Sequence, residues 1–194
     1  MDYREKFEMA LEKVQKAPRY TGGEMNTSVK GWDETPLRFG FCFPDTYEVG
    51  MSHLGLKILY GLINREPWSL CERFFMPWTD MIALLKAEGI PLLSMESRRP
   101  LKDFDVIGFT LQYEMSYSNI LAMMDMGGVP LEGCERGEND PIVVAGGALR
   151  IQSGAPRALY RRVHDRRRRR RDDGTEPGDS AAETGRLEPQ QMPA

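Results

Sequence analysis

The sequence predicts an α/β fold: a doubly wound, mostly parallel sheet wrapped by helices. Three stretches predict it. Leu37–Asn64, LRFGFCFPDTYEVGMSHLGLKILYGLIN, reads as a strand, a polar glycine-bearing turn and a helix, in that order. FDVIGFTL at 104–111 and PIVVA at 141–145 are apolar runs short enough to be strands buried on both faces. Segments of helical period lie between these runs. Strands alternating with helices imply parallel pairing through crossover connections.

Taken in order, the first helix carries Tyr3, Phe7, Leu11 and Val14 on one face, and Pro18 ends it. A polar connector rich in turn residues follows. Leu37, Phe39, Phe41 and Phe43 make the first strand, and Pro44 stops it. Asp45 to Ser52 reads as a turn. Leu54, Ile58, Leu59 and Leu62 then form an apolar stripe at helical spacing. Leu70–Phe75 is a second strand. Pro77-Trp78-Thr79-Asp80 leads into a helix carrying Met81, Ile82, Leu84 and Leu85, with Gly89 as its stop. Ile90–Met95 is a candidate minor strand. Phe104–Leu111 is the best-bounded strand, and Ser116–Met126 is a helix with Tyr117, Ile120, Leu121 and Met124 on one side, ended by Gly127-Gly128. Met115, Met123, Met124 and Met126 read as core fillers. The expected organisation is a helix and connector over 1–36, a Rossmann- or flavodoxin-like domain over 37–147 with about four strands, and a tail over 148–194. That tail has no sustained period, and its composition predicts disorder.

A chain of 194 residues is long enough to bury a core. Its formal net charge of -3 argues against general affinity for nucleic acid or membranes. No apolar run approaches the ~20 residues of a spanning helix, and the charged, amphipathic start MDYREKFEMALEKV is not a signal peptide. The three cysteines, Cys42, Cys71 and Cys134, are too dispersed for a disulfide framework or a zinc or iron–sulfur site. A reducing cytoplasm is the expected compartment. The arginine run Arg166–Arg171 could contact phosphates. Its flanking aspartates and the lack of interleaved aromatics weigh against a nucleic-acid role.

In a sheet of order 2-1-3-4-5 the topological switch lies between the first and third strands, where open α/β folds take their ligands. That rule sets Asp45–Gly55 beside Thr110–Ser116. The candidate ligand contacts in the first segment are Asp45, Tyr47, Glu48, Gly50, Ser52, His53 and Gly55. Those in the second are Thr110, Gln112, Tyr113 and Glu114. Gly146 and Gly147 after the last strand would admit a nucleotide tail close to the backbone. Each has a plainer reading. The first turn is then structural, with Ser52 capping the helix and Gly50 and Gly55 allowing tight packing. Gln112, Tyr113 and Glu114 are solvated turn residues, and the glycine pair is a tight turn. No catalytic residue and no metal ligand is assigned.

KAPRYTGGEMN (16–26), FPDTYEVGMSHLGLKILYGLIN (43–64), ERFFMPWTDM (72–81), PLLSMESRRPLKDFDVIGFTLQYEMSYSNIL (91–121) and PIVVAGG (141–147) resemble one family, in unbroken order. It is the radical S-adenosylmethionine (SAM) proteins with an N-terminal cobalamin-binding-like domain. The resemblance covers about the first three quarters of the chain and only the front domain of a longer protein. It implies a Rossmann-like unit followed by a radical-SAM barrel, whose Cys-x3-Cys-x2-Cys motif holds a [4Fe–4S] cluster. This chain has no such motif. S-adenosylmethionine and the cluster are therefore expected in the full-length family and not on this chain, and the missing barrel is an expected partner. Cobalamin, or another corrinoid-like small molecule, is the implied ligand of the crevice. Many cobalamin domains carry Asp-x-His-x-x-Gly where this chain has Met51-Ser52-His53-Leu54-Gly55. The departure implies that His53 bonds to backbone and that any cobalamin binds without histidine ligation.

Similar proteins continue past the paired glycines with Pro-Cys and Asn-Pro-Glu-Pro-Leu, and later with Ile-Gly-Asp-Gly-Glu. Here the residues are Ala148-Leu149-Arg150 and onward. Permitted codons for Asp165 through Arg170, displaced by one base, encode Ile-Gly-Asp-Gly-Glu. Those for Ser153 through Pro156 encode Pro-Glu-Pro. A reading-frame shift near Ala148 is the resulting expectation. The chain then reads as a truncated, non-catalytic module that binds cobalamin weakly. The alternatives are a stand-alone module for a nucleotide-like ligand, or an interaction protein acting through its arginine tail.

Overall fold

The computed structural model describes residues 2–28 and 30–146. Gly147 and every expectation for the tail, including its disorder and the frame shift, lie outside the described residues. The elements are α1 (Tyr3–Leu11), β1 (Leu37–Phe43), α2 (Tyr47–Ser52), α3 (Leu54–Arg65), β2 (Ser69–Phe75), α4 (Thr79–Glu88), β3 (Val106–Thr110), α5 (Ser116–Met126) and β4 (Ile142–Gly146). The four strands form one sheet of order β2-β1-β3-β4, parallel throughout. The α/β, Rossmann-like expectation therefore holds, with the order reversing between β1 and β3.

Alternation along the strands divides the core into two layers. Cys42, Phe74, Ile107, Phe109 and Val143 face one way and pack on Ile120, Met123 and Met124 of α5. Phe41, Phe43, Cys71 and Phe75 face the other way, under Leu56 and Tyr60 of α3. A side chain as deeply buried as Phe74 contributes about 1.5–3 kcal/mol. A third cluster joins Phe7 and Ala10 of α1 to Met81 and Leu85 of α4. The N-terminal helix is thus packed onto the sheet domain. Arg98 fastens the connector there. Its Nη2 donates to the Thr21 carbonyl at 2.8 Å, its Nη1 donates to the Tyr20 carbonyl, and its guanidinium stands 4.9 Å from the Phe7 ring centroid.

The structure departs from expectation at several points. Residues 47–52 are helical, so the first turn holds a short helix of its own. Leu54, Ile58, Leu59 and Leu62 are exposed, and Leu56 and Tyr60 are buried instead. The extended backbone of His53 (φ -79, ψ 110) breaks the phase between α2 and α3. The row 56, 60, 63 then faces the sheet, and it is as apolar in sequence as the row predicted. Ile90–Met95 forms only a single antiparallel bridge, Leu93 to Pro100. The first helix ends at Leu11, short of Val14. Met115 is exposed, whereas Met123 and Met124 fill the core. Gly89 is a true stop, with φ 63 in the left-handed region that glycine enters freely.

Candidate functional site

The carboxyl ends of β1 and β3 lie side by side, and short polar bridges close the gap between them. Asp45 donates its backbone N–H to the Phe43 carbonyl at 2.8 Å and accepts from Met76 N at 2.9 Å. Its Oδ1 takes the Thr46 N–H at 2.7 Å, and Tyr113 donates its hydroxyl to Oδ2 at 3.4 Å. Asn119 of α5 donates to the Pro44 carbonyl at 2.9 Å. The switch itself is therefore bridged by the protein's own side chains.

The open space lies one layer away. Between α3 and the sheet, over β1, β3 and β4, runs a groove of about 430 Å³. Phe39, Leu59, Gly108 and Val144 give it apolar walls, and His53, Gly55, Thr110, Gln112 and Gly146 also line it. Gly108 is needed there, because a Cβ at that position would stand 2.5 Å from the Phe39 ring. Thr110 is buried at the end of β3, and its Oγ1 has no hydrogen-bond partner among the described residues. A buried hydroxyl without a partner costs free energy unless something else supplies the bond. Gly146 has open space around a would-be Cβ, and its carbonyl accepts from Leu111 N at 2.8 Å.

His53 sits at the groove mouth as the N-cap of α3. Its Nδ1 accepts the Leu56 N–H at 3.1 Å, and its ring lies 5.3 Å from that of Phe43. Accepting at Nδ1 uses that nitrogen's lone pair, so the neutral ring carries its proton on Nε2. Neither nitrogen then offers a free pair to a metal. Gly55 leaves room for this fold-back, since a Cβ there would stand 2.9 Å from the imidazole. Ser52 is not the cap of α3; its hydroxyl donates to the Val49 carbonyl at 2.7 Å.

Tyr47, Glu48 and Gly50 point elsewhere, towards the end of β2. The Tyr47 ring meets Phe75 edge-on at 5.6 Å, and burial, then the neighbouring Glu24, pushes its phenol up. Glu48 pairs with Arg19 at 2.7 Å, and that hydrogen bond holds its carboxyl below the usual range. Gly50 is a packing glycine, because a Cβ would stand 2.3 Å from the Phe75 ring. Glu114 is exposed. The structure thus gathers His53, Gly55, Thr110, Gln112 and Gly146 at one groove. It leaves Asp45 and Tyr113 at the bridged switch, and separates Tyr47, Glu48, Gly50, Ser52 and Glu114 from both.

Sequence reasoning missed the groove walls Phe39, Leu59 and Gly108. A glycine inside the strand VIGFT was the available signal, since glycine in a strand interior marks close approach of another group. Burial pushes the thiols of Cys42 and Cys71 well above their ordinary value, which disfavours their thiolate forms. Among the described residues, no three His, Cys, Asp or Glu side chains are placed to hold a metal ion, and no helix is long and apolar enough to cross a membrane.

The family model described as "Radical SAM proteins, N-terminal" matches residues 55–160, more than half of the chain and running past Ala148. No curated protein and no solved structure matches.

Proposed function

The chain belongs to the radical SAM N-terminal family, and from that membership we propose that it is the corrinoid-cradling module of a larger radical SAM protein, without catalytic activity of its own. The observation that carries the reading is the groove beside the switch. It offers an apolar slot with a glycine floor at Gly108 and a buried hydroxyl, that of Thr110, without a partner among the described residues. A flat heterocycle with a hydrogen-bonding edge, such as the nucleotide base of cobalamin, matches that chemistry. Thr110 would bond the edge, Phe39 and Val144 would flank the ring, and Gly146 would let a ribose or phosphate approach the backbone. The cobalt would lack a histidine ligand, because His53 is committed to Leu56. A bound corrinoid supplies a redox-active cobalt centre. This chain's part is to hold and orient it, while S-adenosylmethionine and the [4Fe–4S] cluster belong to the barrel of the full-length protein.

The exposed apolar stripe Leu54, Ile58, Leu59 and Leu62 on α3 supports a covering partner at this face, and the barrel domain is the candidate. The reading-frame shift near Ala148 stands as a second part of the proposal. The family match through residue 160 pulls against a break that early, and the gene sequence beyond Gly147 decides it.

Titration of the full chain with hydroxocobalamin, read by its visible spectrum, tests the ligand. Saturable binding is expected, at least tenfold weaker for cobinamide, which lacks the nucleotide. Filling the groove by Leu59→Trp should abolish binding, and His53→Ala should leave the bound spectrum unchanged. Equal affinity for cobinamide overturns the slot assignment. No binding of either, with saturable binding of an adenine nucleotide, replaces the corrinoid by a nucleotide-like ligand.

A further inference from the structure

Three segments far apart in the chain converge on Trp32 at the amino end of the sheet. Its indole is half-buried and meets Phe104 edge-on, with ring centroids 5.0 Å apart, so the packed layer under α5 holds it. Arg38 of β1 and Arg99, just past the turn at 95–97, both place a guanidinium over this one ring. Their Cζ atoms stand 4.9 and 4.2 Å from its centroid. Both backbones are fixed. Arg38 donates its N–H to Asp105 Oδ2 at 2.8 Å, and its carbonyl accepts from Asp105 N at 3.0 Å. Arg99 donates its N–H to Oγ of the buried Ser94 at 3.0 Å, and its carbonyl accepts from Ser94 N at 2.9 Å.

These side chains carry donors that the fold leaves over. Arg38 directs Nε to the Trp32 carbonyl at 3.2 Å, and its two Nη atoms have no partner among the described residues. The Arg99 guanidinium donates to no described residue. Neither pairs with a carboxylate among the described residues. The buried acid of the neighbouring strand, Glu72, is taken by Ser97, whose hydroxyl donates to Oε2 at 2.7 Å. Two charges on one ring are no more than about 9 Å apart, roughly a Debye length, so each raises the cost of the other. Stacking occupies the flat face of a guanidinium and leaves its in-plane N–H fork open, the geometry that grips phosphate.

We propose that Arg38, Arg99 and Trp32 form a binding site for the phosphate group of a small phosphomonoester. Such a group is close to a dianion at neutral pH. It neutralises both guanidiniums and takes a fork from each, whereas a carboxylate matches one fork and leaves a charge over. The site is separate from the groove, which lies on the α3 side of the sheet while Trp32 packs on the α5 side. The described part of β4 ends at Gly146, at the opposite end of the parallel strands. The proposal does not rest on the corrinoid reading.

The test uses the full chain with Trp68→Phe and Trp78→Phe, both exposed positions, so that Trp32 is the one indole left. Titration with glycerol phosphate or inorganic phosphate near neutral pH should change Trp32 emission saturably. Acetate, and sodium chloride at matched ionic strength, should not. Arg99→Gln keeps the backbone bonds to Ser94 and should weaken binding at least tenfold with unchanged circular dichroism. Arg99→Lys keeps the charge without the fork and should fall between. Phosphate should also raise the melting temperature of the parent more than that of Arg99→Gln. The proposal is overturned by a response that does not saturate, by an equal response to acetate or chloride, by binding of inorganic phosphate without the ester (an adventitious ion only), or by undiminished binding in Arg99→Gln.

Discussion

The two edge strands of this sheet are opposites. On β2 the backbone of Arg73 is occupied on its outer side. Met95 donates to its carbonyl, and its N–H donates to Oε2 of Glu96 at 2.8 Å. The Arg73 guanidinium turns inward, 2.7 Å from Glu96 and 3.1 Å from Glu24, and stands 4.5 Å from the Tyr60 ring centroid. Burial pushes the Glu96 carboxyl above its usual range, even with the guanidinium beside it. On β4 the outer backbone meets nothing among the described residues. One edge is sealed by a loop and buried charge; the other has no such cover among the described residues. Sealing β2 takes residues far apart in the chain, and their charges hold only as a set.

The largest test of this contrast is to make the two edges alike. Arg73→Met strands the buried carboxylates of Glu96 and Glu24, and such a loss costs about 3–5 kcal/mol. The urea midpoint should fall accordingly, and the double variant Arg73→Met/Glu96→Gln should recover part of it. If the single variant unfolds like the parent, the seal is decorative.

A smaller effect appears at alkaline pH. Burial, then Glu96, raises the Tyr60 phenol to about 12, and its oxygen accepts the Ser28 N–H at 2.9 Å. The unfolded chain loses this proton near pH 10, so between there and about 12 the native state binds the extra proton. Stability is full below the lower value and is lost as pH rises through the upper one, on the order of 2 kcal/mol. Urea melts across that range should show the decline, and Tyr60→Phe should flatten it.

The smallest effect is at the surface. Glu48 has its carboxyl lowered by Arg19, so its contribution is present above the unfolded value and lost as pH falls through the folded one. Being exposed, the pair is worth under about 1 kcal/mol, and Glu48→Gln should shift the acid limb of thermal unfolding only slightly. A loss comparable to that of Arg73→Met would erase the distinction between sealed and solvent-facing charge.

The sheet was legible because each strand is a bounded apolar run, and the switch rule set the order around β1. The groove was only half legible. His53, Thr110, Gln112 and Gly146 follow from strand ends, but the slot depends on Phe39 lying across Gly108, a contact between residues far apart in sequence. The inward face of α3 was misread because two apolar rows share the helix and only the kink at His53 selects between them. The seal on β2 was invisible for another reason. Glu24, Arg73 and Glu96 look like ordinary surface charges until the fold brings them together.

Arg98 lies at φ 57, a backbone region that suits glycine, held by the paired bonds of Ser94 and Arg99 around it. Its hold on the Tyr20 and Thr21 carbonyls reaches across 78 and 77 positions of chain, respectively. This clamp on the connector therefore closes only after α4, which receives Phe7 and Ala10 of α1, has already been made. The helix and its connector are thus secured at separate stages of assembly, the helix by packing on α4 and the connector by a later arginine.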